Sequence, residues 1–310
     1  MNEIRQLCEC SDIVCLQETW LCSLDSHILS RIDESFHSSS ITSMSLTDNI
    51  VRGRPHGGLS ILWKKNFRGC KVVDFNDERI MALEITTNAG PFLIVNVYLP
   101  CDHSDSTDDF LFYLAKISSI IEDHKSSYVC VVGDFNANTI HGKKSRFGEE
   151  LKSYCRAEGL HIADLELCEP SPFTFYCAAH DSVSWLDHVL MPEMVFSRTC
   201  SIEILKDFIT SDHLPILANL NIMCSEIYQS TFDSNDCHTN IYWQDLTSEE
   251  IDRYRCNTEC QLKSVAINHS LLLCDDPGCT DVTHRGAMDR MILAVQMLHT
   301  EGQSTGHRSC

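Results

Sequence analysis

The sequence has no long apolar segment and no recognisable secretory signal. None of its 310 residues fall in a run that approaches the ~18 apolar residues of a membrane-spanning helix. The first ten residues, MNEIRQLCEC, lack the apolar core of a signal peptide. We therefore expect an intracellular protein whose 18 cysteines stay reduced. Cys15 and Cys130, which lie inside apolar runs, are predicted to be small core residues.

Basic residues are also scarce. Lysine and arginine total 24 against 44 aspartates and glutamates, so the formal net charge is −20. This balance argues against a protein that binds nucleic acid through phosphate contacts alone. It is compatible with carboxylates gathered around divalent cations, and with a phosphodiester substrate that is reached through Mg²⁺.

Short strand-like segments dominate residues 1–222. They lie at residues 12–19, 58–65, 79–87, 91–100, 128–136, 173–178, 185–191, 200–207 and 215–222. Two amphipathic helices are predicted near 107–124 and at about 145–158, and the second is expected to stop at Gly159. Many strands with few helices indicate an α/β or α+β sandwich.

Residues 223–310 differ in composition and are predicted to be a linker followed by a small, mainly helical tail. Thr247 and Glu250 have the spacing of a capping box, which predicts one helix. A last helix is predicted near 285–300. Its apolar residues would share one face of the helix, and these are Met288, Met291, Ile292, Val295 and Leu298.

The tail also contains a possible zinc site. Cys274, Cys279 and His284 lie close together, and Cys260 or His269 would be a fourth ligand. The spacing differs from the usual two-residue gap between cysteines, so a capped loop without metal is the favoured alternative.

Polar side chains occur where buried strands end. They are Glu18, Asn96, Tyr98, Asp134, Asn136, Asp187, Asp212 and His213. Taken singly, each is compatible with a turn, a helix cap or a solvent-facing strand end. Taken together, they predict a shared site, because carboxylates are costly to bury unpaired. Hard oxygen ligands favour Mg²⁺ or Mn²⁺.

The residues of these motifs and their order along the chain resemble those of a known family. The series QETW, GGLSILW, NVYLP, GDFNAN, TF, SWLDHVL and SDHLPI, within residues 5–222, is similar to the endonuclease/exonuclease/phosphatase superfamily. It most resembles the endonuclease domains of LINE-type (non-LTR) retrotransposons, which are related to apurinic/apyrimidinic endonucleases. The resemblance implies a DNase I-like fold, a four-layered sandwich of two sheets flanked by helices, over residues 1–222.

The resemblance also implies roles for individual residues. Asp134 would orient or deprotonate the attacking water, and Asn136 would steady the phosphate. Tyr98 and His213 would contact the phosphate, and Asp187 would orient His213. Metal ligation is implied for Glu18 and Asp212. Supporting or phosphate-binding roles are implied for Asn96, Thr174, Ser184 and Ser211.

One element of the family pattern is expected to be missing. The family's first strand ends in a motif such as Asn-Val-Asn-Gly and lies inside a sheet. This chain begins with residues that resemble the following helix and second strand, so the neighbouring strands are expected to have exposed edges. No aromatic-Ala-Asp-Asp motif of a reverse transcriptase is present.

These observations predict divalent-metal-dependent phosphodiester hydrolysis, with DNA nicked to leave a 3′-hydroxyl. Such an enzyme would act on DNA in the nucleus. One alternative is a phosphatase acting on inositol or other phosphate esters, although the Trp-x-Gly-Asp-x-Asn motif of inositol phosphatases is absent. The other is a catalytically silent remnant or a binding module, motivated by the expected loss of the first strand.

Overall fold

The structure of the protein is a computed structural model. It describes residues 2–222 and 291–297, with gaps at 23–24, 44–45, 48–49, 52–55, 104–105, 125–127, 141, 169–172 and 209–210. The predicted zinc ligands Cys274, Cys279 and His284, the alternative ligands Cys260 and His269, and the predicted capping box lie outside the described residues.

Five α-helices are described. They are α1 (Asn2–Cys10), α2 (Thr107–His124), α3 (Arg146–Glu158), α4 (Ala163–Leu167) and α5 (Glu193–Phe196), and a 3-10 helix spans Ser26–Arg31. Both helices predicted from periodicity are confirmed. Both ends of α3 are set by capping residues. At its start the Ser145 hydroxyl accepts the Gly148 N–H at 3.1 Å, and at its end Gly159 adopts a left-handed conformation with φ 66°. No helix in the described ranges is both long and apolar enough to cross a membrane.

Sixteen strands are described. The first eight are β1 (Ile13–Gln17), β2 (Phe36–Ile41), β3 (Leu46–Thr47), β4 (Ile50–Val51), β5 (Leu59–Lys64), β6 (Lys71–Asp74), β7 (Ile80–Thr87) and β8 (Gly90–Tyr98). The others are β9 (Val129–Asp134), β10 (Leu160–Ile162), β11 (Phe175–Cys177), β12 (Ser182–Ser184), β13 (Asp187–Pro192), β14 (Thr199–Ile204), β15 (Ile216–Leu220) and β16 (Met291–Met297).

Two six-stranded sheets form the centre of the fold. The first has the order β14-β15-β16-β1-β5-β2, and the second has the order β10-β13-β9-β8-β7-β6. A buried apolar cluster between them contains residues of both sheets, for example Cys15 and Ile61 from the first and Ile94 and Val132 from the second. The outer face of the second sheet packs against α2 and α3, and that of the first packs against α1 and the 3-10 helix. The expected four-layered, DNase I-like sandwich is therefore confirmed.

Successive side chains of β1 point to opposite faces of the sheet, and both faces are buried, which explains why the strand is continuously apolar. Ile13 and Cys15 face the inter-sheet cluster, whereas Val14 and Leu16 face the outer cluster with α1. Cys15 and Cys130 are core residues, as the sequence predicts, and burial raises the pKa of both thiols. Every cysteine that the structure describes is a free thiol.

The predicted helix near 285–300 is wrong for residues 291–297. These residues form β16, which pairs in parallel with β1 and antiparallel with β15. Met291, Leu293 and Val295 are buried between the sheets, and Ala294 is buried on the opposite face. A strand covered on both faces and apolar at nearly every position has no period-2 pattern, and its apolar residues also satisfy the helical spacing. The expected exposed edge of β1 is absent, since β1 has a neighbour on each side.

Gly133 allows β8 and β9 to approach at the point where both strands end. Its φ is 137°, and a Cβ atom there would lie 2.0 Å from the carbonyl oxygen of Val97. No side chain fits this position without displacing β8. Gly90 has a similar φ of 121°, but a Cβ atom there would meet nothing within 4 Å.

We predict that Gly133→Ala lowers the free energy of unfolding by roughly 1–3 kcal/mol more than Gly90→Ala, because only the first adds a steric clash to the backbone strain. Urea unfolding of the two variants and the parent protein measures this difference. Equal destabilisation by both substitutions would contradict the close approach of β8 and β9.

Candidate active site

Three polar residues form a row across three adjacent strands of the second sheet. The parallel pairing of β8 and β9 places Tyr98 beside Asp134, and the antiparallel pairing of β9 and β13 places Asp134 beside Asp187. Residues directly opposite on neighbouring strands project from the same face. The strand register therefore brings one phenol and two carboxylates together at one edge of the sheet.

Glu18 joins this row from the other sheet. It follows directly after β1 and is buried, and its backbone lies in the left-handed region with φ 47°. The hydroxyl group of Tyr98 donates a hydrogen bond to Oε1 of Glu18. Burial, followed by the charges of Glu18 and Asp134, raises the pKa of Tyr98, so the phenol remains the donor. This contact connects the ends of β1 and β8 across the sandwich.

A tight turn after β9 presents Asp134 and Asn136. Oδ1 of Asp134 accepts the backbone N–H of Asn136 at 2.8 Å, and Asn136 has a left-handed φ of 51°. Nδ2 of Asn136 donates to the carbonyl oxygen of Leu99 at 2.9 Å. The second carboxylate oxygen of Asp134, Oδ2, is buried and has no hydrogen-bond partner. It is therefore an acceptor that a ligand in the site would satisfy.

His213 and Asp187 form a buried pair. Nδ1 of His213 lies 2.8 Å from Oδ2 of Asp187, and the ring of Phe175 lies against the imidazole at a centroid distance of 4.7 Å. The hydroxyl oxygen of Thr174 accepts the backbone N–H groups of Leu186 and Asp187. Asp187 thus holds the ring through Nδ1, which leaves Nε2 as the nitrogen available to a ligand.

Charge coupling links the members of the site. Burial, then the charge of Asp187, raises the pKa of Asp134 to about 8. Burial opposes the charged form of His213, but the charges of Asp187, Asp134 and Asp212 outweigh it and raise the pKa of His213 to about 9. Relative to exposed groups, the site therefore favours the neutral form of Asp134 and the charged form of His213 beside Asp187.

The donor set fits a hard divalent cation that keeps part of its water shell. The site offers the buried carboxylate of Glu18 and, next to His213, the half-buried carboxylate of Asp212, and oxygen donors are the ligands that Mg²⁺ prefers. No group of three or more His, Cys, Asp or Glu side chains within the described ranges has the arrangement of a complete metal cage. Mg²⁺ is commonly held by one or two carboxylates together with water and substrate phosphate.

The remaining predicted residues surround this centre. Asp212 is half-buried, its carbonyl oxygen accepts the N–H of Tyr176 at 2.9 Å, and its charge acts on His213. The Ser211 hydroxyl oxygen accepts the N–H of His213 at 3.0 Å. The Ser184 hydroxyl oxygen lies 3.4 Å from Nδ2 of Asn138. Ser211 and Thr174 thus hold the backbone next to the two members of the His213–Asp187 pair.

Asn96 lies in the core behind the site. Its Nδ2 donates to the carbonyl oxygens of Leu16 and Ser60, both at 3.1 Å, and its Oδ1 accepts Nε2 of Gln17 at 2.6 Å. It is completely buried, and these bonds join the two sheets. Gln17 and Ser60 were not among the predicted site residues, although a glutamine or serine inside an apolar strand is a signal for such a network.

A second His–Asp pair was also missed. Nδ1 of His188 lies 2.8 Å from Oδ2 of Asp164, and Nε2 of His188 lies 3.0 Å from the carbonyl oxygen of Ala137. Both side chains are fully buried. His188 follows Asp187 in β13, so its side chain lies on the opposite face of the sheet. It holds the turn that carries Asn136.

Comparisons with known proteins agree with this fold. Residues 1–213 match the endonuclease/exonuclease/phosphatase family. A 3′ phosphatase, NExo, from Neisseria, solved with a product DNA hairpin, has 14% identity and a TM-score of 0.55, over 71% of this chain and 93% of that chain. The AP endonuclease LMAP from Leishmania major has 12% identity and a TM-score of 0.52, over 69% and 80%.

A third solved structure is the endonuclease domain of TRAS1, a telomere-specific non-LTR retrotransposon. It has 18% identity and a TM-score of 0.48, over 68% of this chain and 98% of that chain. At these identities, the likeness to NExo and LMAP shows a shared fold. The family match covers more than half of the chain, and the chain therefore belongs to the endonuclease/exonuclease/phosphatase family.

Proposed function

We propose that this protein is a divalent-metal-dependent DNA endonuclease of the non-LTR retrotransposon type. The observation that carries the proposal is the row of Tyr98, Asp134 and Asp187 across three strands, with Glu18 and His213 closing the site. This arrangement supplies a base, a cationic donor and a metal-binding carboxylate at one sheet edge. Those are the groups that phosphodiester hydrolysis requires.

Asp134 is the group that would activate water. Its raised pKa of about 8 makes the Asp134 carboxylate a stronger base than that of an exposed aspartate. Water activated by Asp134 would attack the phosphorus atom and displace the 3′ oxygen, so that the nick carries a 3′-hydroxyl. The same turn carries Asn136, whose side chain would steady the reacting phosphate.

His213 and Tyr98 would bind the phosphate. The imidazolium ion of His213, held by Asp187 through Nδ1, would donate from Nε2 to a phosphoryl oxygen on which negative charge grows. Tyr98 remains protonated beside Glu18 and would complete the phosphate contacts. Thr174, Ser184 and Ser211 would support these groups through the backbone.

Glu18 and Asp212 would hold Mg²⁺ or Mn²⁺. When bound, such an ion supplies Lewis-acid polarisation of the phosphate and offsets its charge. It also gives a protein with net charge −20 a means of approaching a polyanion. We propose DNA as the substrate and the nucleus as the place where it would be met.

We predict that His213→Ala and Asp134→Ala each slow nicking at least about 100-fold, because they remove the charge-stabilising donor and the base. Conversion of supercoiled plasmid to the nicked form in Mg²⁺ measures the rate. His161→Ala is the matched control, since His161 also lies between carboxylates, Glu166 and Glu193, but outside the site. Nicking that survives both site substitutions would refute the proposal.

The same preparations separate the alternatives. A phosphatase would release inorganic phosphate from an inositol phosphate or a 3′-phosphorylated oligonucleotide faster than it nicks plasmid. A catalytically silent remnant would do neither, although it would fold normally. The proposed endonuclease nicks plasmid, and its phosphate release is the slower of the two activities.

Metal dependence gives a third prediction. EDTA is expected to abolish nicking and added Mg²⁺ to restore it. Glu18→Gln, which keeps the shape but removes the charge, should raise the half-saturating Mg²⁺ concentration about 10- to 100-fold. A magnesium titration of the nicking rate measures this shift, and Glu122→Gln, on the exposed face of α2, is the control. An unchanged titration curve for Glu18→Gln would show that Glu18 does not hold the metal.

The raised pKa of Asp134 also predicts a conflict between activity and stability. In the folded protein the raised pKa of Asp134 favours its protonated form up to about pH 8, whereas the unfolded chain releases the proton near the ordinary aspartate pKa of 3.8. The free energy of unfolding therefore falls as pH rises between these values. In EDTA, Asp134→Asn should remove this loss and stabilise the inactive protein by at least about 1 kcal/mol more at pH 8 than at pH 5.

Urea unfolding at the two pH values measures that effect. His213 contributes in the same direction, because its folded pKa of about 9 exceeds the ordinary histidine pKa of 6.5, so its stabilisation is lost as pH rises through about 9. Asp123→Asn, an exposed carboxylate on α2, is the control and should show no such pH-dependent gain. A gain equal to that of the control would contradict the buried, proton-holding state of Asp134.

A further inference from the structure

β16 lies inside the first sheet, although it comes from the far end of the sequence. Residues 291–297 pair with β1 on one side, where Cys15 is opposite Val295, and with β15 on the other, where Ile216 is opposite Val295. Without this strand, β1 and β15 would each present a row of unpaired backbone groups. The position between them therefore takes one extended segment with backbone partners on both sides.

The side chains of β16 fit both faces of that position. Met291, Leu293 and Val295 belong to the cluster between the sheets, and each is at most 1% exposed. Ala294 packs in the outer cluster with Val14 and Leu16. A slip by one residue would exchange the two faces and place the small alanine where large side chains pack. The strand is thus matched to its position in one register.

Asp12 holds the beginning of β16 in that register. Oδ2 of Asp12 accepts the N–H of Ile292 at 2.8 Å, and the N–H of Asp12 donates to the carbonyl oxygen of Ile292 at 2.8 Å. Oδ1 of Asp12 is paired with Nζ of Lys64 at 2.6 Å. This buried carboxylate joins β16 to β1 and β5 with both of its oxygens occupied.

The two neighbours of β16 are the strands that deliver the active-site residues. β1 ends at Gln17, immediately before Glu18, and β15 begins at Ile216, three residues after His213. Because β15 is antiparallel to β16 and β16 is parallel to β1, both of these ends lie at the same edge of the sheet. One intervening strand separates β1 from β15 by roughly 9–10 Å, twice the spacing of neighbouring strands.

We propose that the C-terminal segment 291–297 is a spacer strand whose insertion between β1 and β15 sets the distance between Glu18 and His213. Nuclease activity then depends on a segment that lies about 80 residues after the last active-site residue in the sequence. The effect on activity rests on the function proposed above, whereas the insertion itself does not.

An engineered disulfide tests the insertion independently of activity. Cys15 already lies opposite Val295, so Val295→Cys in the full chain creates a pair on neighbouring strands that face the same cluster. Refolding in a glutathione redox buffer, in which both thiols are accessible before they are buried, should give an intramolecular link between positions 15 and 295 that peptide mapping detects. Ala294→Cys is the matched control, because its partner is Val14 and it faces the outer cluster, and it should not link to Cys15.

Other outcomes overturn the insertion. These are the absence of the 15–295 link, a link found only between two copies of the chain, or an equal link from position 294. Plasmid nicking by the oxidised Val295→Cys protein should stay within about twofold of the reduced protein, since the disulfide holds the strand where it already lies. A 15–295 link in a protein that nicks no plasmid would support the insertion and refute the endonuclease.

A second pair of variants tests the dependence of activity on the strand. Leu293→Asp places a charge between the sheets, and it should lower nicking at least tenfold, whereas Leu293→Val should keep nicking within about threefold of the parent. Loss of folding in Leu293→Asp would also support the proposal, because the sheet would then require the strand. Normal nicking and normal thermal unfolding of Leu293→Asp would overturn it.

Discussion

Negative charge buried at one sheet edge is the constraint on which the rest of the structure depends. Asp134 and Asp187 lie side by side in neighbouring strands, and Glu18 approaches from the opposite sheet. Leaving one buried charge without a partner costs about 3–5 kcal/mol in folded proteins. The fold lowers this cost by raising the pKa of Asp134, which favours its neutral form, and the pKa of His213, which favours a cation beside Asp187. In the proposed enzyme, a bound divalent cation would take the place of the proton in offsetting this negative charge.

The two sheets must keep a fixed position relative to each other if their active-site residues are to lie close together. Asn96, on β8, donates to carbonyl oxygens of β1 and β5, and Gln17 donates back to Asn96. These bonds lie in an otherwise apolar interface, where a slip would leave amide and carbonyl groups without partners. The network lies one residue behind Glu18 and two residues behind Tyr98. It therefore fixes the position at which the two sheets contribute to the site.

Local sequence was sufficient for some features and insufficient for others. The turn at Asp134 and Asn136 was predictable because an apolar strand runs directly into Gly-Asp-Phe-Asn, and α3 was predictable from its periodicity and from Gly159. The contact between Tyr98 and Glu18 joins residues 80 positions apart. No local signal specifies such a contact. The two residues entered one predicted site because both follow or end buried strands and because both match the family motifs, not because of periodicity.

The error at residues 291–297 has the same physical origin. In MILAVQM, the apolar residues satisfy a helical stripe and a strand buried on both faces equally well. The choice is made by β1 and β15, which are distant in sequence and provide backbone partners on both sides. A helix at this position would satisfy its own backbone but leave theirs unpaired. The strand forms because it pairs the backbone groups of β1, β15 and the segment itself. This pairing becomes apparent only when the order of the strands in the sheet is known.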